Sequence, residues 1–184
     1  MNTIKLADVS VAISKGSTPR GKVNYSTNED NRFLRVTDMC DFDRIKNTEL
    51  SLSNEDIKTH KIKLWPIDTV LVSIEGTIGK VAILKESMAM NQAVAGIILD
   101  DKILMPEYVM YYLKGSNAFE RLIKGTIMPA IRLGDLANIE VPILGIVQQK
   151  QVINILESID RKIEENTRIN DNLRYILYSP AIVR

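Results

Sequence analysis

The sequence is poor in the residues that build disulfide, metal and nucleophilic sites. Its 184 residues include one cysteine, one histidine and one tryptophan. Cys40 alone cannot form an internal disulfide framework, and Cys40 with His60 cannot supply the ligands of a usual zinc site. A nucleophilic Cys40 would also need a base and an orienting group, and its surroundings suggest no third group. We therefore expect no metal site and no cysteine nucleophile.

Strong net charge and long apolar runs are also lacking. The formal net charge is +1, which argues against a protein that holds nucleic acid alone, because phosphate contacts supply most of the non-specific affinity. No segment approaches the roughly 18 apolar residues that a membrane span needs. The first ten residues, MNTIKLADVS, lack the apolar core of a secretory signal. We expect a cytoplasmic protein without a membrane partner.

A glycine-rich segment, VLVSIEGTIGKVAIL at residues 70–84, invites comparison with a phosphate-binding loop. Such a loop has four residues between its glycines, then a lysine and a serine or threonine. Here two residues separate the glycines and a valine follows the lysine. The pattern instead predicts two β-strands, 70–74 and 80–84, joined by a turn. We expect no catalytic residue and no cofactor.

Positive charge is concentrated in two parts of the chain. Residues 15–35 contain five basic and two acidic side chains, and residues 114–132 contain four basic and one acidic. Each cluster adjoins a glycine-rich turn, SKGSTPRGK or IKGTIMPAIR, which is typical of loops that approach a phosphate backbone. The alternative is ordinary solvated surface.

Short segments of mixed type precede residue 142, and they predict a compact α+β domain. Pro106 suits the first turn of a helix. The patterns predict a helix or strand over 5–14, a strand over 32–38, a polar loop over 40–55, the strand pair of 70–84, a strand over 91–99 and a helix over 106–124.

A single long helix is predicted after this domain. Residues 146–177 contain no proline or glycine, and about 32 residues make a rod of roughly 48 Å. Apolar residues recur at steps of three and four, the heptad pattern of a coiled coil. The seam consists of Val152, Leu156, Ile159, Ile163, Asn166, Asn170, Leu173 and Leu177. Such a stripe needs a partner, which is either a second chain or the first domain itself.

Six blocks of the sequence carry a resemblance to a known family. In chain order they are KLADVSVAISKGSTPR, FLRVTDM, DTVLVSIEGTIGKVAIL, NQAVAGI, KGTIMPAIRLGDLANIEVPI and QQKQVINILESIDRKIEEN. Together they resemble the DNA specificity subunit of type I restriction-modification systems, over nearly the whole chain. In that family a target recognition domain precedes a long helix, and a full subunit contains this unit twice. The resemblance implies a half-subunit form, with the target recognition domain at 1–142 and a dimerisation and spacer helix at 143–184.

The function implied by this resemblance is recognition of double-stranded DNA without catalysis. A methyltransferase (modification) subunit and a restriction subunit would perform the chemistry, and the sequence contains no Asn-Pro-Pro-Tyr-like methylation motif. Two chains with antiparallel helices would form a homodimer that reads inverted half-sites across a fixed gap. The alternatives are a stand-alone regulatory DNA-binding dimer and a truncated assembly or decoy protein.

Candidate DNA contacts lie in the glycine-rich turns. Arginine suits guanine, and hydroxyl groups suit phosphate. The candidates are Ser17, Thr18, Arg20, Lys22, Lys80, Lys124, Thr126 and Arg132. We expect Arg35 and Asp38 to form a structural pair. The Asn-Gln dipeptide before the strand at 91–99 is interpreted as a cap, with an adenine contact from Gln92 as the alternative.

Two positions depart from the family pattern. The family usually joins domain and helix through a Pro-Pro-Leu stretch, with a glutamate before the glutamine, whereas this chain reads VPILGIVQQK. Gly145 therefore predicts a looser joint than in the family. Family members often have a basic residue where Glu75 stands, which weakens the expectation of a direct phosphate contact at that turn.

Overall fold

The computed structural model describes residues 2–19, 21, 23, 25–27, 30–39, 44–122 and 130–178, and the side chains of the last helix as far as residue 173. Cys40 lies outside these residues. None of the helices in the described part combines the length and apolar content that a membrane span requires.

Sixteen elements follow one another along these residues, one of them a single 3-10 turn at Val36–Asp38. The strands are β1 Thr3–Lys5, β2 Ser10–Lys15, β3 Asn31–Leu34, β4 Arg44–Ile45, β5 Leu50–Leu52, β6 Val70–Ser73, β7 Val81–Leu84, β8 Ala89–Met90, β9 Val94–Leu99 and β10 Glu140–Pro142. The helices are α1 Leu6–Val9, α2 Asn54–Thr59, α3 Pro106–Gly115, α4 Leu133–Ala137 and α5 Ile146–Tyr178. The predicted α+β class with a long C-terminal helix is confirmed.

The strands form three sheets. The largest has the order β2-β9-β6-β7-β4, and its pairs are antiparallel except for β4 with β7. A three-stranded sheet has the order β5-β3-β8. In the third sheet β1 pairs with β10, with Thr3 opposite Pro142. This last pairing ties the start of the chain to the segment that leads into α5.

Both faces of the five-stranded sheet are covered. Val70, Val72 and Ile83 belong to a core that includes α3, while Leu71 and Leu84 belong to a second core around the buried Trp65. Residues alternate between the faces of a strand, so β6 and β7 are buried at every position. This two-sided burial explains why both strands read as continuous apolar runs, and the predicted strand pair is confirmed.

Three predicted elements are wrong in part. The strand predicted over 32–38 ends at Leu34, and a 3-10 turn follows at Val36–Asp38. The helix predicted over 106–124 ends at Gly115, because Ser116 has an extended backbone and turns follow. The polar loop predicted over 40–55 contains β4 and β5, which are two- and three-residue strands. Their pairing depends on β7 and β3, which are distant in sequence, so local composition does not reveal it.

Helix α5 has 33 residues, or about 50 Å of length. Its first turns belong to the globular core, since Ile153 is buried there and Val152 packs against it. The Gln149 side chain is fully buried. Its Oε1 accepts a hydrogen bond from the Met105 backbone N–H (2.8 Å), and its Nε2 donates to the carbonyls of Ile103 (2.9 Å) and Leu144 (2.8 Å). These contacts argue against the looser joint that Gly145 predicts.

We expect the substitution Gln149→Ala to lower the free energy of unfolding by about 2–4 kcal/mol, because it leaves buried backbone groups without partners. Urea unfolding followed by circular dichroism would measure this loss. The neighbouring Gln151 is exposed, so Gln151→Ala serves as the matched control and should change stability by less than about 0.5 kcal/mol. Equal effects of the two substitutions would contradict a structural role for the buried amide.

Candidate nucleic-acid interface

One edge of the five-stranded sheet gathers loops that are far apart in sequence. β2 and β6 end at this edge and β7 and β9 begin there, as the pairs Lys15–Ala95, Ser73–Val94 and Val72–Val81 show. The loops that follow β2, join β6 to β7 and precede β9 therefore lie side by side. We call this surface the loop edge; it comprises residues 15–18, 75–80, 91–93 and 130–132.

The loop after β2 is pressed against the segment before β9. The Gly16 N–H donates to the Val94 carbonyl and the Ser17 N–H to the Met90 carbonyl, both at 2.9 Å. A Cβ atom at Gly16 would lie 2.1 Å from the Met90 oxygen, so only glycine fits there. Ser17 and Thr18 follow at once and both are exposed. This close approach fixes where two of the candidate hydroxyl groups stand.

The turn between β6 and β7 is held by its own backbone. Gly76 and Gly79 have φ angles of 73° and 85°, which favour glycine. The Ser73 hydroxyl oxygen accepts a hydrogen bond from the Lys80 N–H at 2.8 Å. The glycines therefore serve the geometry of a tight turn, and the exposed Thr77 stands at its tip.

A fourth segment joins the loop edge from a distant part of the chain. The Ile131 N–H donates to the Ile74 carbonyl at 3.0 Å, and Ala130 forms an isolated antiparallel β-bridge with Glu75. This pairing brings the exposed Arg132 beside the turn that carries Lys80, which is half-buried. Of the other candidates, Arg20, Lys22, Lys124 and Thr126 lie outside the described residues. Their DNA contacts stay predictions.

The loop edge carries cations that are not neutralised by described neighbours. Lys15, Lys80 and Arg132 form no ion pair within the part of the chain that the structure describes, and Lys15 and Arg132 are exposed. Glu75 is the acidic residue in the turn. Unpaired cations beside exposed hydroxyl groups can bind phosphate oxygens. In the described ranges no group of histidine, cysteine and acidic side chains is placed to hold a metal ion.

Arg35, next to this surface, is held by carboxylates. Its Nε lies 3.7 Å from the Asp38 carboxylate, and its backbone N–H donates to the same carboxylate at 2.7 Å. The predicted structural pair is confirmed, and Glu49, which the sequence did not indicate, is a second partner. The Asn91 side chain accepts a hydrogen bond from the Ala93 N–H (3.2 Å), which supports the cap interpretation. Gln92 is exposed at the loop edge, so its adenine contact stays an open alternative.

The predicted seam of α5 divides into two parts. Val152 packs against the domain and Leu156 is half-buried, so the alternative of folding back on the domain holds for the first turns. The later seam residues Ile159, Ile163, Asn166, Asn170 and Leu173 are exposed, and the side chain of Leu177 is not described.

Three exposed apolar residues of α5 were missed in the sequence. Val147, in the first turn of the helix, is 71% exposed. Ile155 is 61% exposed and Ile169 is 54% exposed. They precede Leu156 and Asn170 by one position, so they flank the heptad seam on one side. The apolar stripe is therefore wider than the seam, and it continues past the two asparagines.

Comparison with known proteins gives a consistent result. The family model described as "Type I restriction modification DNA specificity domain" matches residues 1–175. The type I restriction enzyme MjaIX specificity subunit of Methanocaldococcus jannaschii is 25% identical over 177 residues, which are 94% of this chain and 40% of that protein. The EcoBI specificity subunit of Escherichia coli is 29% identical over 132 residues, which are 68% of this chain and 28% of that protein. The chain thus spans less than half the length of these relatives.

Solved structures share the fold at low sequence identity. A chain from a study of complex assembly and conformational transition of the type I R-M system has a TM-score of 0.74 at 18% identity, over 96% of this chain and 42% of its own length. The HsdS subunit from Thermoanaerobacter tengcongensis has a TM-score of 0.67 at 18% identity, over 91% of this chain and 39% of its own length. The S subunit from M. genitalium has a TM-score of 0.64 at 19% identity, over 94% of this chain and 43% of its own length.

The close approach at the loop edge can be tested through Gly16. We expect Gly16→Ala to lower the free energy of unfolding by about 2–3 kcal/mol, because the added methyl group must displace backbone atoms of Met90. Chemical unfolding of the purified chain measures the effect. The control is Gly115→Ala, where an added Cβ meets nothing within 4 Å at the end of α3, and where stability should stay equal or rise slightly. A neutral Gly16→Ala would refute the tight contact.

Proposed function

Because the chain belongs to the family of type I restriction-modification DNA specificity domains, we propose that it reads double-stranded DNA through the loop edge and directs partner subunits to that site. The partners in this proposal are a methyltransferase subunit and a restriction subunit. The observation that carries the proposal is that four segments, with unpaired cations and exposed hydroxyl groups, meet on one edge of a sheet whose central strands are buried.

Family membership confirms the resemblance stated from the sequence, and with it a non-catalytic specificity component. Because the chain covers 40% of its archaeal relative, the activity of a whole complex belongs to the proposal. The division at residue 142 and the cytoplasmic location stay predictions.

The proposed assembly is a homodimer through α5. Ile155, Ile159, Ile163, Ile169 and Leu173 expose between 48% and 61% of their surface, and a stripe of this kind on a 33-residue helix needs a partner. Antiparallel pairing would bury it and place one loop edge at each end of the rod. The two-fold axis would then make the DNA half-sites inverted copies separated by a gap.

The low net charge supports a complex in which different subunits supply the phosphate contacts and the sequence recognition. Among the described residues of the loop edge, Lys15, Lys80 and Arg132 are the cations without an ion pair, and the formal net charge of the chain is +1. Non-specific affinity depends on the number of phosphates neutralised, so one chain contributes little of it. In the proposed complex the methyltransferase subunits supply much of the phosphate contact, and the loop edges supply sequence recognition.

The experiment that tests this function is co-expression of the chain with its methyltransferase subunit in an unmethylated host, followed by a genome-wide map of adenine methylation. The proposal expects a gapped palindrome. An asymmetric motif would mean that a different second recognition domain is recruited. Absence of new methylation would favour a decoy or assembly protein, and tight, salt-sensitive binding by the isolated chain would favour a stand-alone regulator.

In the same assay we expect Arg132→Ala to reduce methylation of the cognate sites about fivefold to tenfold, since a charge-assisted contact to phosphate is lost. Lys102 is an exposed cation beyond the other end of β9. Lys102→Ala is therefore the control and should leave methylation unchanged. If both substitutions act alike, the loop edge is not the DNA surface.

The dimer can be tested through the exposed stripe. We expect Ile163→Glu to abolish self-association, because pairing of the helices would bury an uncompensated charge in each chain. Sedimentation velocity of the purified chain measures the mass in solution. Glu165 is exposed on the opposite side of α5, and Glu165→Ala should leave the dimer intact. A monomeric wild-type chain would speak against pairing without partner subunits.

A further inference from the structure

Helix α5 is attached to the domain at a second place beyond Gln149. Arg44 in β4 donates through Nη2 to the Glu157 carboxylate (2.6 Å) and to the Tyr111 hydroxyl (3.3 Å), and its Nη1 lies 3.6 Å from the Asp160 carboxylate. The Tyr111 hydroxyl in turn donates to Asp160. Arg44, Tyr111, Glu157 and Asp160 thus form a closed network, which we call the clasp.

The clasp is partly sheltered from water. The side chains of Arg44 and Asp160 are each 24% exposed, and that of Glu157 is 35% exposed. Burial and the hydrogen bond to Asp160 raise the pKa of Tyr111 to about 12, so its hydroxyl remains a donor at neutral pH. Charge-assisted hydrogen bonds in a closed set hold their partners in one arrangement more strictly than a lone surface ion pair does.

The clasp also lies where the burial of α5 against the described part of the domain ends. Beyond Asp160, every residue from 161 to 173 is exposed. From Gln149 to Asp160 the helix rises about 16 Å. The domain therefore holds α5 by polar contacts about 16 Å apart, with the buried Ile153 between them. Contacts at separate points along a helix fix its direction.

The angle between α5 and the domain determines where the loop edge lies relative to the helix. Gln149 binds residues just after the end of β9, whereas the loop edge lies at the start of β9. Six residues of strand separate them by about 20 Å. In a two-fold dimer, a tilt of about 5° at each joint would shift the separation of the two loop edges by up to the 3.4 Å rise of one base pair. At the clasp such a tilt is a displacement of about 1–2 Å, enough to break a hydrogen bond.

We propose that the Arg44 clasp sets the angle between the domain and α5, and thereby restricts the dimer to DNA sites with one gap length. The inference rests on the proposed function, because a gap exists only if two chains read two half-sites. Arg44, Tyr111, Glu157 and Asp160 act as positioning residues and touch no base. The half-site sequence is read elsewhere, so the clasp governs spacing and not base identity.

The test is the methylation map of cells that express Arg44→Ala with the methyltransferase subunit. We expect the half-site bases to stay the same, while methylation of sites whose gap is one base pair longer or shorter rises about tenfold relative to the cognate gap, the factor that the loss of a charge-assisted contact typically corresponds to. Lys46 is an exposed cation just after β4, and Lys46→Ala is the control that should keep a single gap length.

A milder variant distinguishes loss of the clasp from unfolding of the domain. Tyr111→Phe keeps the ring and removes only the hydroxyl group that joins Arg44 to Asp160. It should broaden the gap preference in the same direction as Arg44→Ala but less. Uniform loss of methylation at every gap length in both variants would show a merely structural role and overturn the proposal.

A second readout does not depend on DNA. Spin labels at Lys58→Cys in α2 and Arg168→Cys in α5, on a Cys40→Ser background and diluted with unlabelled chain, report the distance between domain and helix. We expect one narrow distance distribution, which Arg44→Ala broadens and Lys46→Ala leaves unchanged. An unchanged distribution in Arg44→Ala refutes the clasp as the angle-setting contact. If the wild-type chain directs no methylation but the distribution still broadens, the proposed function fails while the clasp remains.

Discussion

The buried amide of Gln149 is the interaction on which the arrangement of domain and helix depends. A fully buried amide is stable only when its polar atoms are satisfied, and here its partners come from residues 103–105 and from the segment before α5. A single side chain therefore ties the first turn of the helix to the end of β9. Pairing of β1 with β10 holds the same junction from the other side. The joint tolerates Gly145 because tertiary contacts, and not local stiffness, define it.

From this junction the central sheet acts as a rigid spacer. Its central strands β9, β6 and β7 are buried on both faces, so the loop edge stands at a fixed distance from the base of α5. The same two-sided burial made β6, β7 and β9 predictable from the sequence, since strands buried on both faces appear as continuous apolar runs. α5 was predictable because proline and glycine are absent from it. β4 and β5 were not, because strands of two and three residues owe their existence to distant partners. The early end of α3 at Gly115 was obscured by apolar residues that continue beyond it.

The candidate site was predictable only where it depends on local geometry. Glycines at tight turns directed attention to loops that meet at the loop edge, but the contact of Ile131 with Ile74, which brings Arg132 beside Lys80, leaves no trace in local sequence. The partners of Arg44 were hidden for the same reason, since 113 positions separate it from Glu157. Ile155 and Ile169 were missed because a strict heptad pattern excludes them, whereas the helix surface that remains free after docking includes them. Burial of one side of α5 by the domain redefines which side is available to a partner.

In the proposed dimer, the rigid joint between domain and α5 and the weak positive charge of the chain act together. The formal net charge of each chain is only +1, so a single half-site would be bound weakly. Once one half-site is bound, binding of the second becomes intramolecular, and its effective concentration is high only if the two edges match the spacing of the half-sites. A loose joint would spread the second edge over many positions and lower that effective concentration at each of them. A rigid joint concentrates it at one spacing and so converts two weak contacts into selection for a single gap. Geometry, more than charge, then supplies the specificity of this chain.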